Sequence, residues 1–427
     1  MKTIFLGLNE LNFDFISRYA NEGKLPHFKT LIDSKGIIKT HSESKYEHLE
    51  PWIQWVTIST GLSYDQHKVF RLGDIVERKD LSQIYEKIEK NGFKVAAVSP
   101  FNADNRLSKP AFFIPDPWTQ TASSGSFLLR KVSKAVSQAV NDNSSDRISL
   151  SSLFYLVAAL AVYSDFKDFL FYFNNIFNFK SKGFKPIVLD RLLASIFLKS
   201  WKKEKPDFSH LFLNSGAHIQ HHYLFNSSVY GGELKNPQWY CQKEQDPLLG
   251  ILKLYDEIIG KLLKLQVRLI MATGLTQVPH GKVTYYWRPK FHHEFLKSFG
   301  VENYRNVIPR MSRDFLVEFS SASEASAAQK LLMSYVDEKD GAQVFAIDNR
   351  GTSLFIELIF DKEVIPNTKL IGPKSIKSFH EMVAFVAIKN GEHSEVGYVL
   401  DSASRIKETD IPLALLHNYL LEDYKRL

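Results

Sequence analysis

Short apolar runs closed by polar or glycine residues alternate along this chain with stretches whose apolar positions recur every three or four residues. Residues 3–8 read as a first strand, ending at Asn9 and Glu10, and 13–20 continue with helical spacing. Gly23 and Pro26 end that helix and open a second, which runs to about Ser34 before Gly36. A helical stretch at 50–61 has proline near its first turn and glycine at its end, the usual asymmetry of helix termini. The amphipathic pattern at 81–90 and the apolar run at 93–99 complete a β-α-β step, and further strands are expected at 208–213, 267–273 and 382–388. This alternation predicts an α/β fold, a mostly parallel sheet flanked by helices.

Open sheets of this kind present chemistry at the carboxyl ends of their strands. The stretch PDFSHLFLNSGAHIQHHY draws attention there, because a buried-looking run gives way to Asn214, Ser215 and Gly216 and then to three histidines within five residues. On a helix, His218 and His222 share one face, with His221 beside His218 at the other helical spacing. That is a metal-ligand spacing; it is equally the pattern of a solvated helix start rich in histidine. After the first strand, Asn9 suits a helix cap, whereas the role of Glu10 stays open.

Two segments look like insertions. Residues 125–205 carry an unbroken apolar run at 153–163 and a phenylalanine-dense stretch at 166–179, with Lys180, Lys182 and Lys185 behind it. Eleven apolar residues cannot span a bilayer. The expectation is a helical cap over the cleft, with a surface-seeking region that meets acidic lipid as the alternative. Residues 311–360 read as a small α+β subdomain, with a strand at 315–319, an alanine-rich helix at 324–335 and two strands around Gly351. Residues 1–124, 206–310 and 361–427 then form the core.

Composition adds outer limits. At 427 residues with 44% hydrophobic and 24% charged content, the chain has the make-up of an ordinary globular protein, and 32 Phe make it aromatic-rich. A formal charge of +7 suits an anionic substrate or an acidic membrane surface, and the basic residues look scattered. The single cysteine, Cys241, excludes an internal disulfide and a thiolate metal cluster, which fits a reducing compartment. The start, MKTIFLGLNELNF, reads as a strand and not as a signal peptide, so a cytoplasmic location is expected. There is no nucleotide-binding glycine loop, and no nucleic-acid partner is expected.

The segments GLNELNFDFI, GKLPHFKTLIDSKG and WIQWVTISTGLSYDQHKVF together resemble the opening of the alkaline phosphatase superfamily, particularly its phosphodiesterase and nucleotide pyrophosphatase branch. The run YDEIIGKLL before the 267–273 strand, and KNGEH followed by Gly397, are similar to later parts of the same family. The resemblance implies two metal ions, a hydroxyl nucleophile and a phosphoryl- or sulfuryl-ester substrate. Several implied positions are changed. Asn9 stands where the family has a metal-binding Asp, Glu50 or Pro51 at the nucleophile, and Thr273 and Gly274 at an Asp-His pair.

One metal site therefore looks dismantled, while His218, His222 and the late His393 match the other and imply one divalent ion, zinc above all. Glu50 is the acidic candidate at a helix amino terminus, with Glu10 and His221 as further catalytic groups; Asn9, Asn214, Lys389 and Asn390 are substrate-binding candidates. Thr57, Ser59 and Thr60 read as helix-face packing. The function implied is a hydrolase or transferase of a phosphate, sulfate or related ester. The alternative is a catalytically degenerate relative that binds an anionic ligand or glycan without turnover.

Overall fold

A computed structural model describes residues 2–141, 148–174, 184–310 and 313–425. The described chain divides into two units. The first comprises residues 1–233, 237–279 and 391–427, and the second 234–236 and 280–390.

The first unit is built on an eight-stranded sheet in the order Asp410–Pro412, Ile38–His41, Val396–Asp401, Arg268–Ala272, Thr3–Leu8, Phe208–Leu213, Val95–Val98, Phe112–Ile114. Every pairing is parallel except the two made by Val396–Asp401, so this strand alone runs against the rest. Thr3–Leu8 lies at the centre, with Leu8 level with Leu213 and Gly7 level with Ala272. Both faces of the central strands are covered, which explains why Thr3–Leu8 and Phe208–Leu213 are buried throughout and mostly apolar, without a polar face.

One face packs on the helices Pro51–Thr60, Ile84–Lys90 and Leu416–Leu421. There Trp55 stands edge-on to Phe212 at 4.8 Å between ring centroids, and Phe5, Ile88, Val399 and Leu416 fill the same core. The helices Phe13–Asn21, Pro26–Lys35, Phe184–Glu204, Ser215–Tyr223 and Pro247–Leu263 pack together as a second layer. Several of the polar groups that this packing buries find partners, although His210 Nε2 has none among the described residues. His210, inside a strand, bonds the Tyr85 hydroxyl at 2.7 Å, and burial holds it neutral by lowering its pKa to about 3. Arg268, fully buried, is gripped by Asp401 at 2.9 and 3.1 Å.

The expected strand at 382–388 is found as part of Val383–Ser394, which pairs with Thr276–Pro289 in a separate two-stranded ladder. Its expected place in the large sheet belongs to Val396–Asp401. The run at 382–388 looked like a core strand because it is apolar, but periodicity does not name a strand's neighbour.

The second unit holds a four-stranded antiparallel sheet in the order Phe345–Asn349, Ser353–Leu358, Asp314–Glu318, Asn306–Pro309. The helix Ala322–Met333 starts in a reciprocal cap between Ser321 and Glu324. The unit contains the described part of 311–360, read from the sequence as a small α+β subdomain, and extends well beyond it on both sides.

The 125–205 segment forms the helices Phe127–Asn141, Leu150–Tyr163, Phe166–Asn174 and Phe184–Glu204. The last packs directly on the sheet strands Val95–Val98 and Phe208–Leu213 and so belongs to the core layer. The expected phenylalanine-rich stretch lies partly outside the described residues, which omit 175–183 and with them Phe179, Lys180 and Lys182. Among the described residues no helix is long and apolar enough to cross a membrane.

Gly397 offers a direct check on the sheet. A Cβ there would lie 2.5 Å from the Gly274 carbonyl oxygen and from Thr40 Oγ1, and a carbonyl fixed in the sheet region cannot swing aside. Gly397→Ala is expected to destabilise the protein by about 1–3 kcal/mol or more, measured as a lower urea midpoint. An unchanged midpoint would contradict the close approach of these two segments.

Candidate metal centre at the carboxyl edge of the sheet

Where Thr3–Leu8 ends, the chain turns through Asn9 and Glu10 between the ends of its two neighbours. Asn9 N donates to the Leu213 carbonyl at 3.1 Å, and Glu10 N donates to the Thr273 carbonyl at 3.0 Å. Glu10 adopts a left-handed conformation, φ 58°, uncommon for a residue with a Cβ and held only where surroundings enforce it. Backbone contacts enforce it here: besides the N–H bond, the Glu10 carbonyl accepts from Gln277 N at 3.1 Å and from Gln220 Nε2 at 2.9 Å.

This clamp points the Glu10 carboxylate into the interior, 4% exposed, where two histidines meet it. His221, on the helix Ser215–Tyr223, brings Nε2 to 2.9 Å from Glu10 Oε2; His393, late in Val383–Ser394, brings Nε2 to 3.0 Å from the same oxygen. The two Nε2 atoms are 3.3 Å apart. Gln277 Nε2 also donates to Oε2, at 2.6 Å. The other carboxylate oxygen accepts from Asn9 Nδ2 at 2.8 Å.

Hydrogen bonding fixes how these groups face one another. The Trp55 indole can only donate, and it meets Asn9 Oδ1 at 2.8 Å, so the Asn9 amide presents both of its hydrogens to Glu10 Oε1 and Asn214 Oδ1, the latter at 2.7 Å. His221 Nδ1 lies 3.2 Å from the Gly391 carbonyl, which only accepts, so Nδ1 carries the hydrogen and the neutral ring turns an Nε2 lone pair toward Glu10. His393 also bonds the Leu49 backbone, and with its Nε2 turned to Glu10 the nitrogen left for that bond is Nδ1, which lies 3.7 Å from Glu50 Oε2. Two lone pairs and a carboxylate oxygen thus converge, and only a positive charge reconciles them.

That charge is supplied either by protons or by a metal ion. Burial works against both ionised groups. The two imidazoles nevertheless hold the Glu10 carboxyl well below its usual range, and Glu10 and Glu50 raise His393 above the usual histidine value. A divalent ion fits the same place. The donors are two imidazole nitrogens and a carboxylate oxygen, the set of several catalytic zinc sites. Their spacings of 2.9, 3.0 and 3.3 Å are close to the roughly 3.3 Å edges of a tetrahedron with zinc-like bond lengths. The backbone bond to His221 and the carboxylate behind His393 are the outer partners that orient metal-bound histidines.

The expected ligand set is only partly reproduced. Among the described residues, His218, His222 and His393 do not form a group of three; the group formed is Glu10, His221 and His393. His218 and His222 share a helix face as expected, but they meet each other, with ring centroids 4.8 Å apart, and His218 is exposed. Helical spacing correctly paired them without saying which side of the helix faces the cleft. Asn9 is not the helix cap; Asn12 is, accepting from Asp14 N at 2.8 Å, while Asn9 links Glu10, Asn214 and Trp55. Glu50 occupies the amino-terminal cap position of Pro51–Thr60 without a side-chain cap bond.

Lys389 and Asn390 fall in the second unit, where Asn390 is buried and exchanges amide hydrogen bonds with Asn236 at 2.8 and 2.9 Å. Thr57, Ser59 and Thr60 are buried and bond back to carbonyls of their own helix, the packing role expected of them. Gln277 and Gln220 were not singled out in the sequence, since a lone glutamine in a strand or helix carries no local sign of its partner.

No family model matches the chain, and no curated protein does. Among solved structures it is similar to phosphonoacetate hydrolase from Sinorhizobium meliloti 1021, at 10% identity and TM-score 0.45, over 100% of this chain and 96% of that one. It is also similar to murine ectonucleotide pyrophosphatase/phosphodiesterase 5, at 11% identity and TM-score 0.46, over 99% and 95%. A third is alkaline phosphatase from the Antarctic bacterium TAB5, at 10% identity and TM-score 0.41, over 100% and 99%.

Two outcomes test the site. Asn9→Ala strips partners from Glu10, Asn214 and Trp55 together and should cost about 1–3 kcal/mol for each buried group left unsatisfied, read from denaturant unfolding. The second concerns pH in chelator-treated protein. The Glu10 contribution is complete above the ordinary glutamate value of 4.5 and lost as pH falls through its lowered pKa; that of His393 is complete below 6.5 and lost as pH rises through its raised pKa. The melting temperature should therefore favour the window between these values, and His393→Gln should flatten the decline above it.

Proposed function

We propose that this chain is a metal-dependent hydrolase of a phosphate or related ester, with Glu10, His221 and His393 as the ligands of one divalent ion, zinc by the chemistry of the donors. The observation that carries the reading is the meeting of Glu10 Oε2 and two imidazole Nε2 atoms within 3.3 Å at the carboxyl edge of a mostly parallel sheet. Bound there, such an ion would polarise the ester and acidify a water molecule. The chain's own groups hold the geometry. Gly391 and the Leu49 backbone fix the two imidazole tautomers, Glu50 supports His393 from behind, and Asn9 holds the second Glu10 oxygen.

Glu50 in this reading is a positioning residue, and with Pro51 beside it there is no hydroxyl to form a covalent intermediate. Water, or an acceptor hydroxyl if the reaction is a transfer, is the nucleophile. The substrate is an anionic small molecule or glycan ester. The same missing hydroxyl favours a second reading, in which the cluster is a charged anchor in a degenerate relative that binds an anion without turnover.

Metal analysis separates the two. Purified protein should contain close to one equivalent of zinc or a similar ion; His221→Ala and His393→Ala should lose at least ten-fold in affinity, and His218→Ala should keep it. Zinc affinity should rise with pH through the raised pKa of His393, because the ion displaces a proton there. Metal content that is substoichiometric and indifferent to all three substitutions would leave the anion-binding relative as the better reading.

A further inference from the structure

The helices Leu150–Tyr163 and Phe166–Asn174 are built inside out. A helix on a water-facing surface turns its apolar stripe inward and its polar side chains outward. In Phe166–Asn174 the side turned to the protein carries Asp168 and Tyr172, one helical turn apart and both buried. Asp168 bonds Arg191 Nη1 at 2.7 Å and accepts from Ser195 Oγ at 2.8 Å, a polar contact with the core helix Phe184–Glu204. The outward side carries Phe166, Phe169, Leu170 and Phe173, at helical one-face spacing, with 76, 57, 39 and 67% of their surface exposed.

Leu150–Tyr163 repeats the pattern. It carries no Asp, Glu, Lys, Arg or His, and of its fourteen residues only Ala159 is buried. Leu150, Leu153, Phe154 and Val157 share one face and are 85, 51, 67 and 56% exposed. Eight large apolar side chains on two consecutive helices are far from the scattered single exposures of an ordinary surface. The expected cap would have buried this run.

Charge identifies the occupant. On these two helices and Phe127–Asn141, which packs on Leu150–Tyr163, the cations are Arg130, Lys131, Lys134 and Lys167. Among the described residues none of the four forms an ion pair; Lys131 lies over the rings of Phe127 and Tyr155, at 5.3 and 5.7 Å. The nearby carboxylates are already neutralised, Asp168 by Arg191 and Asp165 by Lys261 at 3.0 Å. The basic residues that look scattered in the sequence are thus concentrated in effect. Among the described residues of 125–205 ten Lys and Arg stand against four Asp and Glu, most of the chain's formal +7.

We infer that the outward sides of these two consecutive helices dock on an anionic lipid surface, with the phenylalanines and leucines entering the headgroup and upper acyl region and the lysines and arginine meeting lipid phosphates. Its dimensions suit that depth and no more. A fourteen-residue helix is about 21 Å long, short of the roughly 30 Å hydrocarbon core, so it lies in one leaflet. Apolar burial would supply most of the binding, and each cation near the surface would add to it. A second copy of the chain is the competing occupant. It is disfavoured because a two-fold contact through these helices would set like-charged lysines and arginines beside their counterparts.

The test is flotation of the full chain with vesicles of phosphatidylcholine alone and with 30% phosphatidylserine, beside light scattering without lipid. The expected result is a monomer that floats with the anionic vesicles. Phe166→Glu/Phe169→Glu and Leu153→Glu/Phe154→Glu should each cut binding ten-fold or more, while Lys134→Glu/Lys167→Glu should abolish the preference for phosphatidylserine. All these side chains are solvent-facing, so circular dichroism should be unchanged. Failure of the wild-type chain to float, or equal flotation of the glutamate variants, overturns the proposal. So does a dimer without lipid that Leu153→Glu/Phe154→Glu dissociates, which would assign the face to a second copy.

Discussion

A carboxylate taken out of water must find positive charge, and in this protein the end of the first strand is arranged around that requirement. Glu10 is turned inward by a left-handed backbone conformation, and the segments that reach it come from distant parts of the chain. His221 and Gln220 arrive on the helix after Phe208–Leu213, Gln277 follows Arg268–Ala272, and His393 arrives on a late strand. The sheet makes this possible. Parallel strands in register end together, so the residues after Leu8, Leu213 and Ala272 share one edge. The strain at Glu10 is thereby offset by contacts that also orient the carboxylate.

The chemistry of the cluster follows from which nitrogens are already used. Both imidazoles spend Nδ1 on groups that accept, so both Nε2 atoms are left facing a carboxylate and each other. A histidine pair with one free tautomer could have satisfied Glu10 by neutral hydrogen bonds alone. Here a proton or a metal ion is needed, and the two compete for one place. Trp55 belongs to the same arrangement from below: its ring packs on Phe212 in the core while its N–H fixes the Asn9 amide, so core packing and site orientation share a side chain.

The two helices at 150–174 obey the opposite logic. Asp168 turns inward to Arg191 and Ser195, Asp165 is met by Lys261, and the apolar groups of both helices turn outward. Such a face is stable only against an apolar partner, and the folded chain leaves it uncovered by any described residue. It therefore says something about the surroundings in which the protein works, independently of the chemistry at Glu10.

Local pattern by itself determined much of this. Buried runs such as 3–8 and 208–213, the proline and glycine that bound Pro51–Thr60, and the helix between strands in the small unit were legible because propensity, capping and periodicity act over a few residues. So was the meeting of His218 with His222, which helical geometry requires. The partner of Glu10, the sense and neighbours of Val396–Asp401, and the exchange of Val383–Ser394 out of the large sheet were not legible, because they depend on strand order, and strand order joins residues hundreds of positions apart. The rotation of Ser215–Tyr223 was decided the same way. Packing of Ala217, Ile219 and Gln220 against the core turns His221 to Glu10 and leaves His218 outside, a choice between two helix faces that spacing alone cannot make.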